Sequence, residues 1–362
     1  MLNRRRALTT PDQIIEANLV SESKARELKA VSARYAVAIT PALIDLIDPA
    51  DPDDPIARQF VPSIKELTTT PEETSDPIGD ERHSPVRGIV HRYSDRALLK
   101  LTHVCPVYCR FCFRREMVGS PNGPGLSKSD LDAALNYIEN RPEIWEVILT
   151  GGDPLILSPH KLREVTQRLD AIEHVKIIRW HTRMPIAKPE AINEQLVAAI
   201  ASTEKTTYLV LHANHPRELT SEVRAACAEL LKAGIIVLSQ SVLLKGVNNN
   251  IDTLIALMRA LVESGVKPYY LHHADLAPGT SHFRTTIAEG QKLMRELHAR
   301  VSGLCLPSYV LDIPGGYAKA NLELCDADLQ GSELQEGTQS YLVRDGADAL
   351  HPYPGSKISE PV

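Results

Sequence analysis

A chain of 362 residues with a net charge of −6 can hold one large α/β barrel with appendages, or two domains. The acidic balance, with no basic stripe, argues against nucleic acid as a partner, and no apolar run of about 18 residues is present to form a membrane span. Six cysteines, three of them in one short stretch, do not describe a disulfide framework and point to a reducing, cytoplasmic setting.

The opening MLNRRRALTTPDQ is basic but lacks the apolar core of a secretory signal. Residues 1–90 read as a helical N-terminal extension and linker. Thr10 predicts the cap of a first helix, with Pro11 at its first position and Gln13 reaching back as in a capping box. Ser21 or Ser23 opens a second helix running to Tyr35, and Pro41 a third over 42–47. The stretch DPADPDDPIARQFVPS (48–63) holds too much Asp and Pro for regular structure and is either a linker or a surface wrap.

From Ala97 the rhythm changes. Short β-branched runs recur at 97–102, 146–152, 175–182, 207–213, 234–244 and 267–274, and amphipathic stretches lie at 130–140, 160–169, 218–232, 251–264 and 287–301. A βα unit about every thirty residues demands parallel strands joined by right-handed crossovers. Either an open doubly wound sheet or a closed or partial barrel fits. Both put active sites at the C-terminal ends of strands, where polar and glycine residues cluster here. No GxGxxG follows the first strand, which disfavours a dinucleotide fold. The units occupy 91–307, and 308–362 reads as a further strand and an irregular tail.

In LTHVCPVYCRFCFRRE, Cys105, Cys109 and Cys112 stand at C-x3-C-x2-C with no fourth cysteine close by. Thiolates so spaced can wrap one face of a cubane iron–sulfur cluster and leave one iron open, whereas an electron-transfer cluster carries four cysteines. A structural zinc would want a fourth Cys or His at matching spacing, which His91 and His103 do not supply. Arg110, Arg114 and Arg115 bring positive charge that suits an anionic ligand. In TGGDP, Gly151 and Gly152 permit positive φ and close approach of backbone to ligand, and Asp153 brings a carboxylate; an ordinary βα turn uses the same residues. Lys319, after the glycine-rich DIPGGYA, could reach an aldehyde such as that of pyridoxal phosphate (PLP), or be a solvated surface lysine.

The cysteine motif, with Phe111 before its last cysteine, resembles the signature of the radical S-adenosylmethionine (SAM) enzymes. The succession HRYSDR (91–96), CPVYCRFCFRRE, LTGGDPL, HANHPRE (212–218), SQSVLLKGVNNN (239–250), YYLHHADLAPGTSHFRT (269–285) and VLDIPGGYAK is similar to that of the lysine 2,3-aminomutase family over 85–325. That resemblance implies an α/β fold, a partial (βα)6 TIM-like barrel, an isomerase of the aminomutase type, and three cofactors: a 4Fe-4S cluster, SAM and pyridoxal 5'-phosphate. It assigns the cluster to Cys105, Cys109 and Cys112, and the methionyl amine of SAM to Gly151, Gly152 and Asp153. His212 and Gln240 would lie around SAM, although His212 equally suits an ordinary barrel-mouth histidine. Arg92 and Arg96 would grip the PLP phosphate, a task suited to the guanidinium fork, and Lys319 would bind its aldehyde.

Carried over in the same way, Arg114 pairs with the substrate α-carboxylate, and Asp275 and Asp312 take its ε-ammonium, since a buried cation calls for paired negative charge. Either aspartate could instead cap a turn. Family members acting on glutamate lack the acidic pair, and those supplying β-lysine for elongation factor P modification do not keep the second aspartate. Free L-lysine is therefore the expected substrate and β-lysine the product. Another amino acid, a factor-modifying role and a non-catalytic iron–sulfur electron carrier stand as alternatives. The resemblance also implies a reducing partner such as flavodoxin or ferredoxin. The longer clostridial-type members carry a C-terminal cysteine cluster for zinc between subunits. Here no cysteine follows Cys325, and Asn250 stands where another zinc-associated cysteine would be, so that zinc site is not expected and homo-oligomeric assembly is left open. His272 and His273 would point to opposite faces of a strand and not share an ion.

Overall fold

The computed structural model describes residues 6–119, 125–313, 318–323, 341–344 and 350–353. Helix α1, Pro11–Glu16, opens with the expected capping box: the Gln13 N–H donates to Thr10 Oγ1 at 3.3 Å and the Thr10 N–H to Gln13 Oε1 at 3.2 Å. Helices α2, Ala25–Arg34, and α3, Pro41–Ile44, follow. The 48–63 stretch is irregular at both ends but holds one short helix. Asp54, fully buried, caps α4, Pro55–Phe60, accepting from the N–H groups of Ile56 and Ala57 at 2.8 and 2.7 Å. Asp before and Pro at the first helical position is how a helix begins, so a composition that reads as breaking marks a start. The segment is a wrap: Gln59 bonds Glu218 and Asn214 at 3.2 and 3.0 Å, and Asp54 pairs with Arg217 at 2.7 Å.

Strands β1, Ile89–Tyr93, and β2, Arg96–Thr102, form a hairpin in which Tyr93 faces Arg96. Arg92 therefore lies in β1 and Arg96 opens β2, on either side of the turn. The turn residues Ser94 and Asp95 carry no glycine, the signal that usually marks such hairpins. The chain then runs α5 (Lys128–Glu139), β3 (Glu146–Gly151), α6 (Pro159–Asp170), β4 (Ile177–Thr182), α7 (Met184–Ala187), α8 (Glu194–Ile200), β5 (Thr206–His212) and α9 (Ser221–Lys232). It continues with β6 (Ile236–Leu243), α10 (Ile251–Glu263), β7 (Lys267–His273), α11 (Ile287–Arg300), β8 (Ser308–Asp312) and β9 (Lys319–Asn321). The predicted pattern had no helix between β4 and β5. There α8, capped by Asn193, buries Leu196, Val197, Ala199 and Ile200.

The nine strands lie in one sheet in chain order, parallel from β2 to β8, with β1 and β9 as antiparallel edges. This is a partial TIM-like barrel, as expected, with β8 extending the expected six strands. Period-two alternation divides each strand between two environments. Val147 and Leu149 of β3, Ile178 and Trp180 of β4, and Leu209 and Leu211 of β5 join buried residues of the helices in the core. Glu146, Ile148 and Thr150, Ile177, Arg179 and His181, and Tyr208 and His212 face the other way, into the barrel. A separate antiparallel pair joins β10 (Tyr341–Arg344) and β11 (Leu350–Tyr353). The turn 314–317 and Cys325 lie outside the described residues. Among the described residues no helix is long and apolar enough to cross a membrane.

Candidate active site

The inward faces of the strands enclose a cavity of about 730 Å³. Every residue given a cofactor or substrate role by the resemblance lines it: the three cysteines, Arg92, Arg96, Arg114, Gly151, Gly152, Asp153, His212, Gln240, Asp275, Asp312 and Lys319.

The cysteine loop follows β2 and rests on the turn after β3. The Gly152 N–H donates to Thr102 O at 2.6 Å and the Asp153 N–H to Val104 O at 2.9 Å. A Cβ on Gly151 (φ +116°) would stand 2.4 Å from Thr102 O, and one on Gly152 2.3 Å from Val104 O. The first service of these glycines is thus close approach to the cysteine loop rather than to a ligand. Asp153 is also engaged within the chain. Its Oδ1 accepts from the Thr182 hydroxyl at 2.7 Å and the Leu155 N–H at 3.1 Å, and its Oδ2 from the Arg183 N–H at 2.8 Å.

Burial pushes the Cys105 thiol well above its ordinary pKa, and the charge of Asp153 and the neighbouring thiols add to it. Burial likewise raises Cys112, and lifts Cys109 to about 11. Such thiols give up their protons to a metal centre far more readily than to water. Among the described residues no three His, Cys, Asp or Glu side chains are gathered as around a single metal ion.

Two of the three loop arginines do not serve the cavity. Arg110 donates to both oxygens of fully buried Glu66, with Nε at 3.0 Å from each, and to Ala36 O at 2.8 Å. Arg115 pairs with the same Glu66 and donates to Arg110 O at 2.9 Å. They fasten the cysteine loop to the N-terminal wrap. Only Arg114 turns inward, held by Asp80 Oδ2 at 3.0 Å from Nη2 and by Thr150 Oγ1 at 3.3 Å from Nη1. Burial raises the Asp80 carboxyl, but the charges of Arg114 and Lys100 outweigh it and hold the pKa low. Glu66 and Asp80 were not singled out from the sequence; both lie in the stretch before β1, which has no periodicity to flag them.

Elsewhere on the cavity wall, β8 and β9 pair Asp312 directly with Lys319, whose ammonium hydrogen-bonds Asp312 Oδ2. Arg92 Nη1 stands 3.7 Å from Asp312 Oδ1, and His272 Nδ1 3.7 Å from Oδ2. Burial raises Asp312, but Lys319 and His272 more than offset it and lower the pKa. Asp275 contrasts with it: burial first, then the Asp312 charge, raise its pKa to about 8. Arg96 is turned to its own hairpin, 2.6 Å from Asp95 and over the Tyr93 ring at 3.7 Å. The Tyr93 hydroxyl accepts from the Lys319 backbone N–H at 3.2 Å, a contact with no sequence signal.

His212 and Gln240 are register partners on β5 and β6. Burial lowers His212 to about 3, so its imidazole is neutral, and it meets the His181 ring edge-on at 5.7 Å. His273 turns away from His272 to bond the Tyr309 hydroxyl at 2.7 Å, as strand alternation requires. Asn250 caps α10, accepting from the N–H groups of Asp252 and Thr253 at 2.9 and 3.2 Å.

A radical SAM superfamily profile matches residues 99–259. The chain is 41% identical over 283 residues to the L-lysine 2,3-aminomutase of Acetoanaerobium sticklandii, covering 78% of this chain and 68% of that protein. It is 39% identical over 283 residues to that of Clostridium subterminale, covering 78% of this chain and 68% of that protein. With the L-lysine 2,3-aminomutase of Escherichia coli K12 it shares 38% over 318 residues, 88% of this chain and 92% of that protein. Superfamily membership brings a 4Fe-4S cluster and SAM as cofactors, and with them the need for a reductant. With relatives this similar over most of its length, the chain is an isomerase of the lysine 2,3-aminomutase family of radical SAM enzymes.

Proposed function

We propose that the chain is a PLP-dependent radical SAM aminomutase that moves the amino group of L-lysine from Cα to Cβ, giving β-lysine. One observation carries this reading: a single cavity is lined by three partly buried thiols, a lysine amine, two carboxylates and two inward arginines. Within it Arg92 Nη2, His212 Nε2 and Asp275 Oδ1 are buried with no hydrogen-bond partner among the described residues. Each such atom costs about 1–3 kcal/mol unless a ligand satisfies it, so the lining fits charged, polar cofactors and substrate. The cavity volume also lies within the range of about 300–1,000 Å³ usual for ligand sites.

When bound, the cluster with SAM supplies hydrogen abstraction at an unactivated carbon, and PLP supplies covalent activation of an amine. Cys105, Cys109 and Cys112 would hold the cluster to which SAM binds. The 151–153 backbone, His212 and Gln240 surround SAM, with neutral His212 able to donate or accept without adding charge. Arg92 holds the phosphate, joined by Arg96 once it exchanges Asp95 for that anion. Lys319 contributes the amine that binds the aldehyde. Arg114, braced by Asp80 and Thr150, offers its remaining N–H donors to the α-carboxylate, while Asp275 and Asp312 receive the ε-ammonium. Fixing both ends presents Cβ in one orientation, the kind of positioning on which rate depends.

In this reading residues 91–307 form the catalytic barrel, 1–90 wrap its cysteine loop and 308–362 deliver Lys319. The setting is a reducing cytoplasm with a one-electron donor such as flavodoxin or ferredoxin. The test is anaerobic reconstitution with iron, sulfide and PLP, then reduction with SAM and isotopically labelled L-lysine. Labelled β-lysine is the expected product. Reductive cleavage of SAM with turnover of glutamate or another amino acid instead would overturn the substrate, and absence of SAM cleavage would leave an electron carrier.

A further inference from the structure

Lys319 is itself a lysine, and its ε-ammonium sits on a carboxylate assigned above to the ε-ammonium of the substrate. The contact follows from the sheet, because Asp312 and Lys319 are cross-strand partners of β8 and β9 and the Lys319 N–H is tied to Tyr93. Asp312 has little room for a second cation. It is 8% exposed, with Arg92 3.7 Å from Oδ1 and His272 3.7 Å from Oδ2. Asp275 keeps Oδ1 buried and without a hydrogen-bond partner among the described residues. Its carboxyl, with a pKa near about 8, is mostly neutral at pH 7. The subsite thus holds one charged acceptor, and the chain's own ammonium fills it.

We propose that Lys319 is an internal occupant of the ammonium subsite, shutting the substrate's amine out of Asp312 until its own nitrogen is engaged elsewhere, so that PLP is taken up before lysine. The proposal rests on the substrate reading above. Lys319 leaves Asp312 when its ammonium yields a proton to solvent and the free amine condenses with a carbonyl, forming a C=N bond with loss of water. The positive charge then arrives with the substrate, and the two aspartates are free to take it.

The test is calorimetric titration of L-lysine into the full chain freed of PLP, as wild type, Lys319→Met and Lys319→Arg, with folding checked by circular dichroism. Emptying the subsite raises the fraction of competent protein, so Lys319→Met should bind L-lysine about tenfold tighter or more than wild type. Lys319→Arg, which keeps the charge, should stay as weak as wild type. L-norleucine, with the same carbon chain but no ε-ammonium, should show no gain. Equal affinity of wild type and Lys319→Met, or an equal gain for norleucine, overturns the block and leaves lysine as substrate. Absence of L-lysine binding by all three forms overturns the block and the substrate reading together.

Discussion

The two ends of the cavity are built on opposite principles. At the cysteine end the polypeptide offers backbone, partly buried thiols and a neutral histidine, while Asp153 is engaged within its turn and Arg110 and Arg115 on Glu66. At the amine end charges face inward and are balanced within the chain, Lys319 and Arg92 against Asp312, Arg114 against Asp80. The first end is incomplete without a positive centre; at the second Asp312 is already paired with Lys319, so a cation must displace that ammonium, while Arg92 Nη2 and Asp275 Oδ1 keep no partner among the described residues. Assembly at the cysteine end should therefore depend on metal and scaffold, and at the amine end on exchange of ion pairs.

The largest effects separate the two ends. Cys112→Ser should abolish the cluster absorbance and SAM cleavage while leaving the visible band of PLP bound to Lys319 intact. Lys319→Ala should do the reverse, removing that band and turnover while iron content and SAM cleavage persist. Loss of both signals in either variant, measured by absorbance and iron analysis, would mean that the ends are not independent. Smaller, but confined to the amine end, is Asp275→Asn. Truncating one partner of a buried charge pair costs about 2–5 kcal/mol, so KM for lysine should rise about a hundredfold with cluster content unchanged.

The same division governs what the sequence reveals. The cysteine spacing is local, and the βα periodicity recurs through most of the parallel strands, so the barrel and the cluster loop are legible in one chain. Lys319, Asp275 and Asp312 become legible only through the order of motifs, because no short-range pattern ties them together. Glu66 and Asp80 are not legible. They meet Arg110 and Arg114 across 44 and 34 residues from a stretch without periodicity, and an ion pair leaves no period in sequence. Asp54 and Pro55 mislead in the other direction, since residues that break structure in composition start a helix in place. The glycines at 151 and 152 point to a close approach, and only the fold says that the approach is to Thr102 and Val104.

Glu66 also sharpens the comparison through stability. Removing one member of a buried ionic group strands the others, at a cost of about 3–5 kcal/mol. Glu66→Gln should lower the denaturant midpoint accordingly and reduce iron occupancy through the loosened cysteine loop, with the Lys319 band unchanged in the folded fraction. A variant that kept full iron loading despite the lost stability would detach the wrap from the cluster loop.

The mildest test is pH, and its sign follows from Asp275. Burial and the Asp312 charge favour the neutral acid, which raises the pKa to about 8. A cation is held by the ionised form, so lysine binding must expel that proton. Below the raised pKa each unit of pH costs about tenfold in apparent affinity, and above it the dependence flattens. KM for L-lysine should therefore fall as pH rises from about 6.5 toward 8, whereas release of iron from the cysteine end should not follow the same curve. Asp275→Asn should lose the slope while keeping a weaker, pH-independent KM. If wild type showed a flat profile over that range, Asp275 would already be ionised in the resting site, and both aspartates would carry charge before any substrate arrived.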